Sequence, residues 1–209
     1  LEKEFPSVFI LSEESRSATT EVIPETLFLV DPLDGTKEFL KRNNEFTVNI
    51  ALVHQGKVIA GVVYAPALNE LFYAVEGLGC WKEDAVGKRK LQIQARDNNK
   101  QPLRVIGSRS HGSDQLDEWL KTLNRPYQLI TIGSSLKFCR VAEGSADIYP
   151  RFGPTSQWDT AAAQCIVEQT GGNVLDLAGR PLLYGLDREI LNPFFIIRGA
   201  VFVNIVVAF

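Results

Sequence analysis

Two aspartates stand where a short apolar run gives way to the predicted start of a helix. The segment Asp-Pro-Leu-Asp-Gly-Thr occupies residues 31–36, and the β-leaning run precedes it at 27–30. Pro32 fixes its own φ, whereas Gly35 lets the chain turn sharply and lets a ligand approach the backbone. Two carboxylates at the end of a buried strand repel each other unless a positive charge lies between them. A plain turn is the alternative, because Asp-Gly is common in turns.

The same segment predicts metal-dependent phosphoryl chemistry. Carboxylates bind hard cations such as Mg²⁺. A helix predicted to begin near Thr36 would leave the N–H groups of Gly35, Thr36 and Lys37 free to face a phosphate. Cations and a phosphate side by side are what metal-assisted hydrolysis of a phosphate ester requires.

The composition is that of a globular protein. The chain has 209 residues, 45% of them hydrophobic and 22% charged, enough for one large domain or two small ones. Its net charge of −3 argues against general nucleic-acid binding, which needs a basic surface. Three cysteines (Cys80, Cys139 and Cys165) fit no disulfide or zinc framework, so we expect buried reduced thiols in a cytosolic protein. The first residues lack the pattern of a signal or transit peptide.

The order of predicted elements changes near Leu103. Before it, the pattern predicts an antiparallel meander, with strands at 46–53, 58–64 and 71–75 and a short strand at 91–93. After it, strands and helices alternate as in an α/β unit, with strands at 103–106, 127–130 and 146–149 and helices at 114–123, 136–143 and 160–170. We therefore predict an α+β metal-binding domain over 1–103 and an α/β substrate-binding domain over 104–209.

The most apolar stretch, residues 194–209, closes the chain. It is shorter than the ~20 residues that a membrane helix needs, and it contains Arg198 and Asn204. We expect a β-rich end piece and no membrane span.

Two further acidic sites share the context of the aspartates at 31 and 34. Glu13 and Glu14 follow the apolar run at 9–11, and Asp159 opens a helix that continues with small alanines at 161–163. Small residues let that helix pack closely on a neighbour. The alternatives are a solvated turn for the glutamates and an ordinary helix cap for Asp159.

These acidic segments resemble the signatures of a known family. Ser-Glu-Glu at 12–14, Asp-Pro-Leu-Asp-Gly-Thr at 31–36 and Trp-Asp-Thr-Ala-Ala at 158–162 are similar to the three motifs of the inositol monophosphatase superfamily of Mg²⁺-dependent, lithium-sensitive phosphatases. Residues 31–42, 133–139 and 141–151 resemble its CysQ-type 3′(2′),5′-bisphosphate nucleotidases. The resemblance implies a layered αβαβα sugar-phosphatase-like fold.

The resemblance also implies roles for particular residues. Two or three Mg²⁺ ions would be held by Glu13, Asp31, Asp34, Asp159 and the Leu33 carbonyl. Glu13, Asp34 and Thr36 would be catalytic, with the proton of the attacking water accepted near Glu13 and Thr36. The N–H groups of Gly35 and Thr36 would hold the phosphate that is cleaved.

The predicted substrate carries a second phosphate. By the resemblance, Lys137 and Arg151 would bind it, with Ser134 and His111 as hydrogen-bond partners. The alternatives are a solvated lysine on a helix surface and a structural or surface histidine.

The implied activity is hydrolysis of 3′-phosphoadenosine 5′-phosphate to AMP and phosphate, which supports sulfur assimilation. An inositol or sugar-phosphate phosphatase and an inactive nucleotide- or metal-binding fragment are the alternatives. The implied location is cytoplasmic, with peripheral association at the inner membrane as a variant, and the oligomeric state is left open.

Two departures from the family pattern accompany the resemblance. The family's usual N-terminal helices, with an Asp that orients the Thr of the motif, do not precede Leu1. We therefore expect a fold that lacks its first helices and a Thr36 without that partner. Residues 198–209 match no family pattern.

Overall fold

The computed structural model describes residues 1–15, 22–94, 101–109 and 114–199. Within these ranges the chain forms two β-sheets, with helices between them and on the outer face of the second. The layered α/β fold expected from the sequence is confirmed. The division into domains near Leu103 stays a prediction.

The first sheet has seven strands in chain order, of which the first two are parallel and the others antiparallel. The strands are β1 (Phe9–Ser12), β2 (Thr26–Asp34), β3 (Thr47–His54), β4 (Lys57–Ala65), β5 (Glu70–Val75), β6 (Gly79–Asp84) and β7 (Gly87–Leu91). Short turns join most of the antiparallel neighbours, so the predicted meander is confirmed.

The last strand of the first sheet was predicted at 91–93, and this position is wrong. The strand that pairs with β6 is β7, and it ends at Leu91, while the Ile93 N–H donates to the Thr170 carbonyl 3.0 Å away. β7 was missed because its sequence, Gly-Lys-Arg-Lys-Leu, is charged and exposed. Such residues are common on edge strands, where they discourage pairing with other chains.

The second sheet has five strands: β8 (Leu103–Ser108), β9 (Tyr127–Ile132), β10 (Ile148–Arg151), β11 (Asn173–Asp176) and β12 (Phe195–Arg198). Their order is β11-β12-β10-β8-β9. β8 is parallel to both of its neighbours, β10 and β9, whereas β12 is antiparallel to β10 and β11. Its helices are α2 (Asp114–Thr122), α3 (Leu136–Ala142) and α4 (Gln157–Gln169). The predicted α/β alternation is confirmed. β12 lies within the predicted end piece and pairs with β10 and β11, whereas residues 200–209 lie outside the described ranges.

Helix α4 joins the two sheets. It packs on β2 to β6 of the first sheet and also contacts α3 and β11. A Cβ at Gly61 of β4 would overlap the Ala162 carbonyl of α4, so the backbones of strand and helix are in direct contact. The close packing expected from the small residues of α4 is confirmed. α2 lies on the opposite face of the second sheet, where Trp119 and Leu120 pack on Leu103 and Ile148.

Other features of the core agree with the sequence. All three cysteines are free and buried, as expected. Across the described ranges, no helix is both long enough and apolar enough to cross a membrane.

Gly61→Ala tests the contact between α4 and the first sheet. The added methyl group would force the helix away, and we expect a loss of about 3 kcal/mol, which lowers the melting temperature by roughly 6–12 °C. Gly199→Ala is the matched control, because the nearest atom to its new Cβ lies 3.6 Å away. Thermal unfolding followed by circular dichroism measures both, and equal melting temperatures of the two variants would contradict the direct contact.

Candidate active site

Three acidic side chains from distant parts of the chain meet at one point. Each of Glu13, Asp31 and Asp159 offers a carboxylate oxygen within 4.8 Å of the other two. Glu13 directly follows β1, whose parallel pairing with β2 sets Ser12 opposite Val30, so Glu13 and Asp31 lie side by side. Asp159 enters from the first turn of α4, which packs on β2. The pairing of β1 with β2 and the packing of α4 therefore build the cluster.

A bulge in β2 sets the direction of its carboxylates. The strand was expected to end at residue 30, but it continues to Asp34 with a register shift between Asp31 and Asp34. The Leu33 N–H donates to Asp31 Oδ1 at 2.9 Å and fixes that carboxyl. Bulges bend a strand and re-aim its side chains, as this one does at the end of the sheet.

The buried carboxylates repel one another. Burial raises the pKa of Asp31 above its usual range, and Asp34 raises it further, with smaller effects of Asp159 and Glu13. Burial and then Asp34 raise the pKa of Asp159 to about 7, although the Ser156 N–H lowers it. A cation between the oxygens would remove this repulsion. An all-carboxylate set is the donor chemistry that Mg²⁺ prefers, so these residues fit a hard divalent cation.

Asp34 lies beside the three-residue cluster. Its Oδ2 accepts hydrogen bonds from the Ser135 N–H and hydroxyl, both at 2.6 Å, from Asn49 Nδ2 at 3.2 Å and from the Thr47 hydroxyl at 3.3 Å. These four bonds all fall on one oxygen and fix its position. The role of Asp34 as a metal ligand stays a prediction.

The interpretation of Asp159 as the N-cap residue of its helix is wrong. Ser156 is the N-cap of α4, and Asp159 lies three residues later, where its Oδ2 accepts the Ser156 N–H at 2.7 Å. The same carboxyl therefore closes the start of the helix and faces Glu13 and Asp31.

Gly35 and Thr36 begin the short helix α1 (Thr36–Lys41) next to the cluster. Gly35 has φ 88°, and a Cβ there would lie 3.1 Å from the Glu45 carbonyl and 3.2 Å from the Ser134 Cβ. Glycine is therefore favoured by the conformation, and the space for a larger side chain is tight. The exposed Thr36 hydroxyl faces the Leu33 carbonyl at a long 3.4 Å.

A cavity of about 720 Å³ opens beside the acidic cluster. The predicted substrate residues within the described ranges all line it: Gly35, Thr36, Ser134, Lys137 and Arg151. Asp34 and Asp159 also line it, so one member of the acidic cluster, its neighbour Asp34 and the predicted phosphate-binding residues share one cavity. His111 lies outside the described residues, and its role stays a prediction.

Lys137 and Arg151 are buried cations in this cavity. Lys137 is 9% exposed, so the solvated-lysine alternative is wrong, and burial lowers the pKa of its ammonium group to about 8. The Arg151 guanidinium donates to the carbonyls of Gly153 at 3.2 Å and Pro154 at 2.9 Å, which do not neutralise its charge. The carboxylates of Asp34, Glu38 and Asp159 act on Lys137 from the same cavity and partly oppose the lowering of its pKa. Two buried positive charges at one cavity suit an anionic ligand.

A salt bridge holds the cavity loop 133–135 against the first sheet. Glu45 accepts two hydrogen bonds from the Arg109 guanidinium and one from the Gly133 N–H, all at 2.7 Å. Although burial opposes it, these donors hold the pKa of Glu45 below its usual value. Glu45 and Arg109 were not predicted from the sequence, because they are 64 positions apart and each belongs to an unremarkable polar segment.

Asn49 and Ser135 were also missed. Asn49 occupies the inward face of β3, where Thr47, Ala51 and Val53 are buried too. A polar side chain at a core position of an alternating strand was the available signal, because buried polar groups need partners. Ser135 offered no comparable signal in the sequence.

Comparison with known proteins places the chain among phosphatases. A sequence model described as "Inositol monophosphatase family" matches residues 1–197. The chain belongs to the inositol monophosphatase family. The family resemblance found in its acidic motifs is thereby confirmed.

Individual members of the inositol monophosphatase family are also similar over most of the chain. The 3′(2′),5′-bisphosphate nucleotidase CysQ of Salmonella typhimurium (strain LT2) is 54% identical over 192 residues, which cover 91% of this chain and 75% of that protein. The CysQ protein of Escherichia coli (strain K12) is 53% identical over 192 residues, which also cover 91% of this chain and 75% of that protein. The crystal structure of CysQ from Bacteroides thetaiotaomicron has a TM-score of 0.80 and 37% identity, covering 93% of this chain and 78% of that one.

Asp31→Asn tests the repulsion within the acidic cluster. Asn keeps the oxygen that accepts the Leu33 N–H but removes the charge. In EDTA at about pH 8.5, we expect the variant to melt about 2–4 °C above the unmodified chain, because about 1 kcal/mol of repulsion is relieved. Excess Mg²⁺ should raise the melting temperature of the unmodified chain but hardly that of Asp31→Asn. Differential scanning fluorimetry measures both effects.

Asp187→Asn is the control for this charge change, because Asp187 is exposed and lies outside the cluster. It should respond to Mg²⁺ like the unmodified chain. An Asp31→Asn variant that melts lower in EDTA and keeps the full Mg²⁺ response would contradict the cluster as a cation site.

Proposed function

We propose that this chain is a Mg²⁺-dependent 3′(2′),5′-bisphosphate nucleotidase. Its reaction is hydrolysis of the 3′-phosphate of 3′-phosphoadenosine 5′-phosphate to AMP and phosphate, in support of sulfur assimilation. The observation that carries the proposal is the pairing of opposite charges in one cavity. The carboxylates of Asp34 and Asp159 and the buried cations Lys137 and Arg151 line the same space.

A bisphosphate fits both groups of charges. One phosphate would lie at the acidic cluster through a divalent cation, and the other would pair with Lys137 and Arg151. An inositol monophosphate carries a single phosphate and would leave one of the two groups without a partner. The CysQ names of the similar proteins agree with this preference.

The carboxylates of Glu13, Asp31 and Asp159 would hold Mg²⁺, with Asp34 and the Leu33 carbonyl completing the set for two or three ions. When bound, Mg²⁺ supplies charge neutralisation of the phosphate and activation of water. Asp34 enters this arrangement with one oxygen already fixed by four donors, so its carboxylate needs little reorganisation.

The remaining chemistry belongs to side chains and backbone of the cavity. The N–H groups of Gly35 and Thr36 would orient the phosphate that is cleaved. The Glu13 carboxylate, with the Thr36 hydroxyl beside it, would accept the proton of the attacking water. Proton transfer of this kind requires a group within hydrogen-bond reach of the water, which Glu13 can provide from its half-buried position.

Lys137 and Arg151 would bind the phosphate that is retained, with Ser134 and His111 as predicted partners. The free-energy cost of removing water from Lys137 is already met when the chain folds. An anion that binds beside Lys137 therefore gains an electrostatic interaction that water does not screen. A phosphate there would also stabilise the charged ammonium against its lowered pKa. The cytoplasmic location stays a prediction, and none of the described residues gives support for peripheral membrane association.

Phosphate release from different substrates tests the proposal. We expect the chain to hydrolyse 3′-phosphoadenosine 5′-phosphate with a kcat/KM about 100-fold or more above that for inositol 1-phosphate, because two charged contacts are lost with the smaller substrate. The activity should disappear in EDTA and return with Mg²⁺. A preference for inositol 1-phosphate would favour the sugar-phosphatase alternative, and substrate-induced thermal stabilisation without phosphate release would favour an inactive binder.

Lys137→Met shows whether the second phosphate is responsible for the preference. The variant removes the charge but keeps an unbranched side chain. Its kcat/KM for the bisphosphate should fall by about 10- to 100-fold, with less than about threefold change for a monophosphate. Lys121→Met is the control, because Lys121 is exposed on α2 and pairs with Glu118. An equal loss with both substrates would contradict the assignment of Lys137.

A further inference from the structure

One buried hydroxyl touches both segments that carry the carboxylates of the second and third acidic motifs. Ser135 Oγ lies 2.6 Å from Asp34 Oδ2, 2.7 Å from the Asp159 carbonyl oxygen and 3.0 Å from Asn49 Nδ2. Asp34 ends β2, Asp159 lies in the first turn of α4, and Asn49 is in the middle of β3. Ser135 itself is 2% exposed and immediately precedes α3.

The hydrogen bonds at Ser135 have a definite direction. A serine hydroxyl has one proton to donate and two lone pairs to accept with. Asn49 Nδ2 donates to the hydroxyl, whose single proton is shared between two acceptors, the Asp34 carboxylate and the Asp159 carbonyl. The Ser135 N–H also donates to Asp34 Oδ2 at 2.6 Å, so one residue holds the same carboxylate oxygen twice.

We propose that Ser135 is a positioning residue for the metal centre, which sets the Asp34 carboxylate at a fixed place relative to the first turn of α4 and so to Asp159. This inference rests on the proposed metal site but not on the identity of the substrate. Groups that hydrogen-bond a metal ligand orient it, and their loss commonly costs about 10- to 100-fold in metal affinity or activity. Ser135 differs from an ordinary partner in that it joins two ligand-bearing segments.

The orientation of Asn49 agrees with this role. Its Nδ2 points at two acceptors, Asp34 Oδ2 and Ser135 Oγ, while its buried Oδ1 has no hydrogen-bond partner among the described residues. A buried amide oxygen without a partner is costly. Asn49 therefore donates to both Asp34 and Ser135, while its own oxygen stays without a hydrogen bond among the described residues. This orientation favours a fixed position of the Asp34 carboxylate over full hydrogen bonding of the Asn49 amide.

The experiment measures Mg²⁺ binding to the whole chain in the absence of substrate. We expect Ser135→Ala to weaken the Kd for Mg²⁺ by about 10- to 100-fold in isothermal titration calorimetry. Ser135→Thr keeps the hydroxyl and should bind Mg²⁺ within about threefold of the unmodified chain. The melting temperature of each variant in EDTA reports its effect on the fold alone.

Thr170→Ala is the matched control. Thr170 is 2% exposed at the far end of α4, and its hydroxyl donates to the Val167 carbonyl at 2.8 Å. Thr170→Ala therefore removes a buried hydroxyl, as Ser135→Ala does, but at a place remote from the carboxylates. We expect Thr170→Ala to lower the melting temperature in EDTA at least as much as Ser135→Ala and to leave the Kd for Mg²⁺ unchanged.

Three results would overturn the inference. The first is a Ser135→Ala variant whose Kd for Mg²⁺ stays within about twofold of the unmodified chain. The second is a loss of affinity in Thr170→Ala that equals the loss in Ser135→Ala, since the effect would then follow stability. The third is a Ser135→Thr variant that melts like the unmodified chain but binds Mg²⁺ as weakly as Ser135→Ala.

The substrate proposal fails separately from this inference. An unmodified chain that binds Mg²⁺ and releases no phosphate would contradict the nucleotidase proposal and leave the role of Ser135 intact. An unmodified chain that binds no Mg²⁺ would overturn the inference together with the metal site.

Discussion

Repulsion among buried carboxylates is the constraint on which the other features of the site depend. Glu13, Asp31 and Asp159 converge although burial and mutual charge both oppose their ionisation. The chain holds them together by packing that is unrelated to the charges, chiefly the contact between α4 and the first sheet. The repulsion therefore lowers the stability of the fold at this site, and a bound cation would remove that loss. Local destabilisation of this kind is common at functional sites.

The means of holding the carboxylates are backbone contacts and buried hydrogen bonds. Gly61 allows α4 to lie directly on β4, which brings Asp159 to the end of β2. The Glu45–Arg109 pair holds the loop at 133–135 against the first sheet, and Ser135 then reaches Asp34 and Asp159. The contacts of Gly61 with Ala162, of Glu45 with Arg109 and of Ser135 with Asp34 each join the part of the chain before Leu103 to the part after it. This arrangement sets the carboxylates of Asp34 and Asp159 and the cations Lys137 and Arg151 around one cavity, on which the proposed preference for a bisphosphate rests.

Much of the site could be predicted from the sequence because its chemistry is local. Each acidic motif combines a strand end or a helix start with a carboxylate, and this combination is visible in a few consecutive residues. The convergence of Glu13, Asp31 and Asp159 was implied by family resemblance. The burial of Lys137 was not, since a lysine on a helix is more often solvated, and only the layering of α3 between two sheets places it in the cavity.

The features that escaped prediction depend on contacts between distant residues. The bulge in β2 follows from its pairing with β3, and the edge strand β7 follows from its pairing with β6 despite a charged sequence. Ser135 has meaning only once Asp34 and Asp159, 101 and 24 positions away, are placed beside it. Asn49 was the one residue with a local signal, as a polar side chain on the core face of a strand.

In the proposed metal site, the acidic side chains of three distant segments bind divalent cations at one place. Anomalous diffraction from a crystal of this chain soaked in Mn²⁺ tests it directly, because Mn²⁺ takes the same oxygen ligands as Mg²⁺ and scatters anomalously. We expect anomalous density between the carboxylates of Glu13, Asp31 and Asp159. Density that is absent there but present at other carboxylates of the same crystal would contradict it.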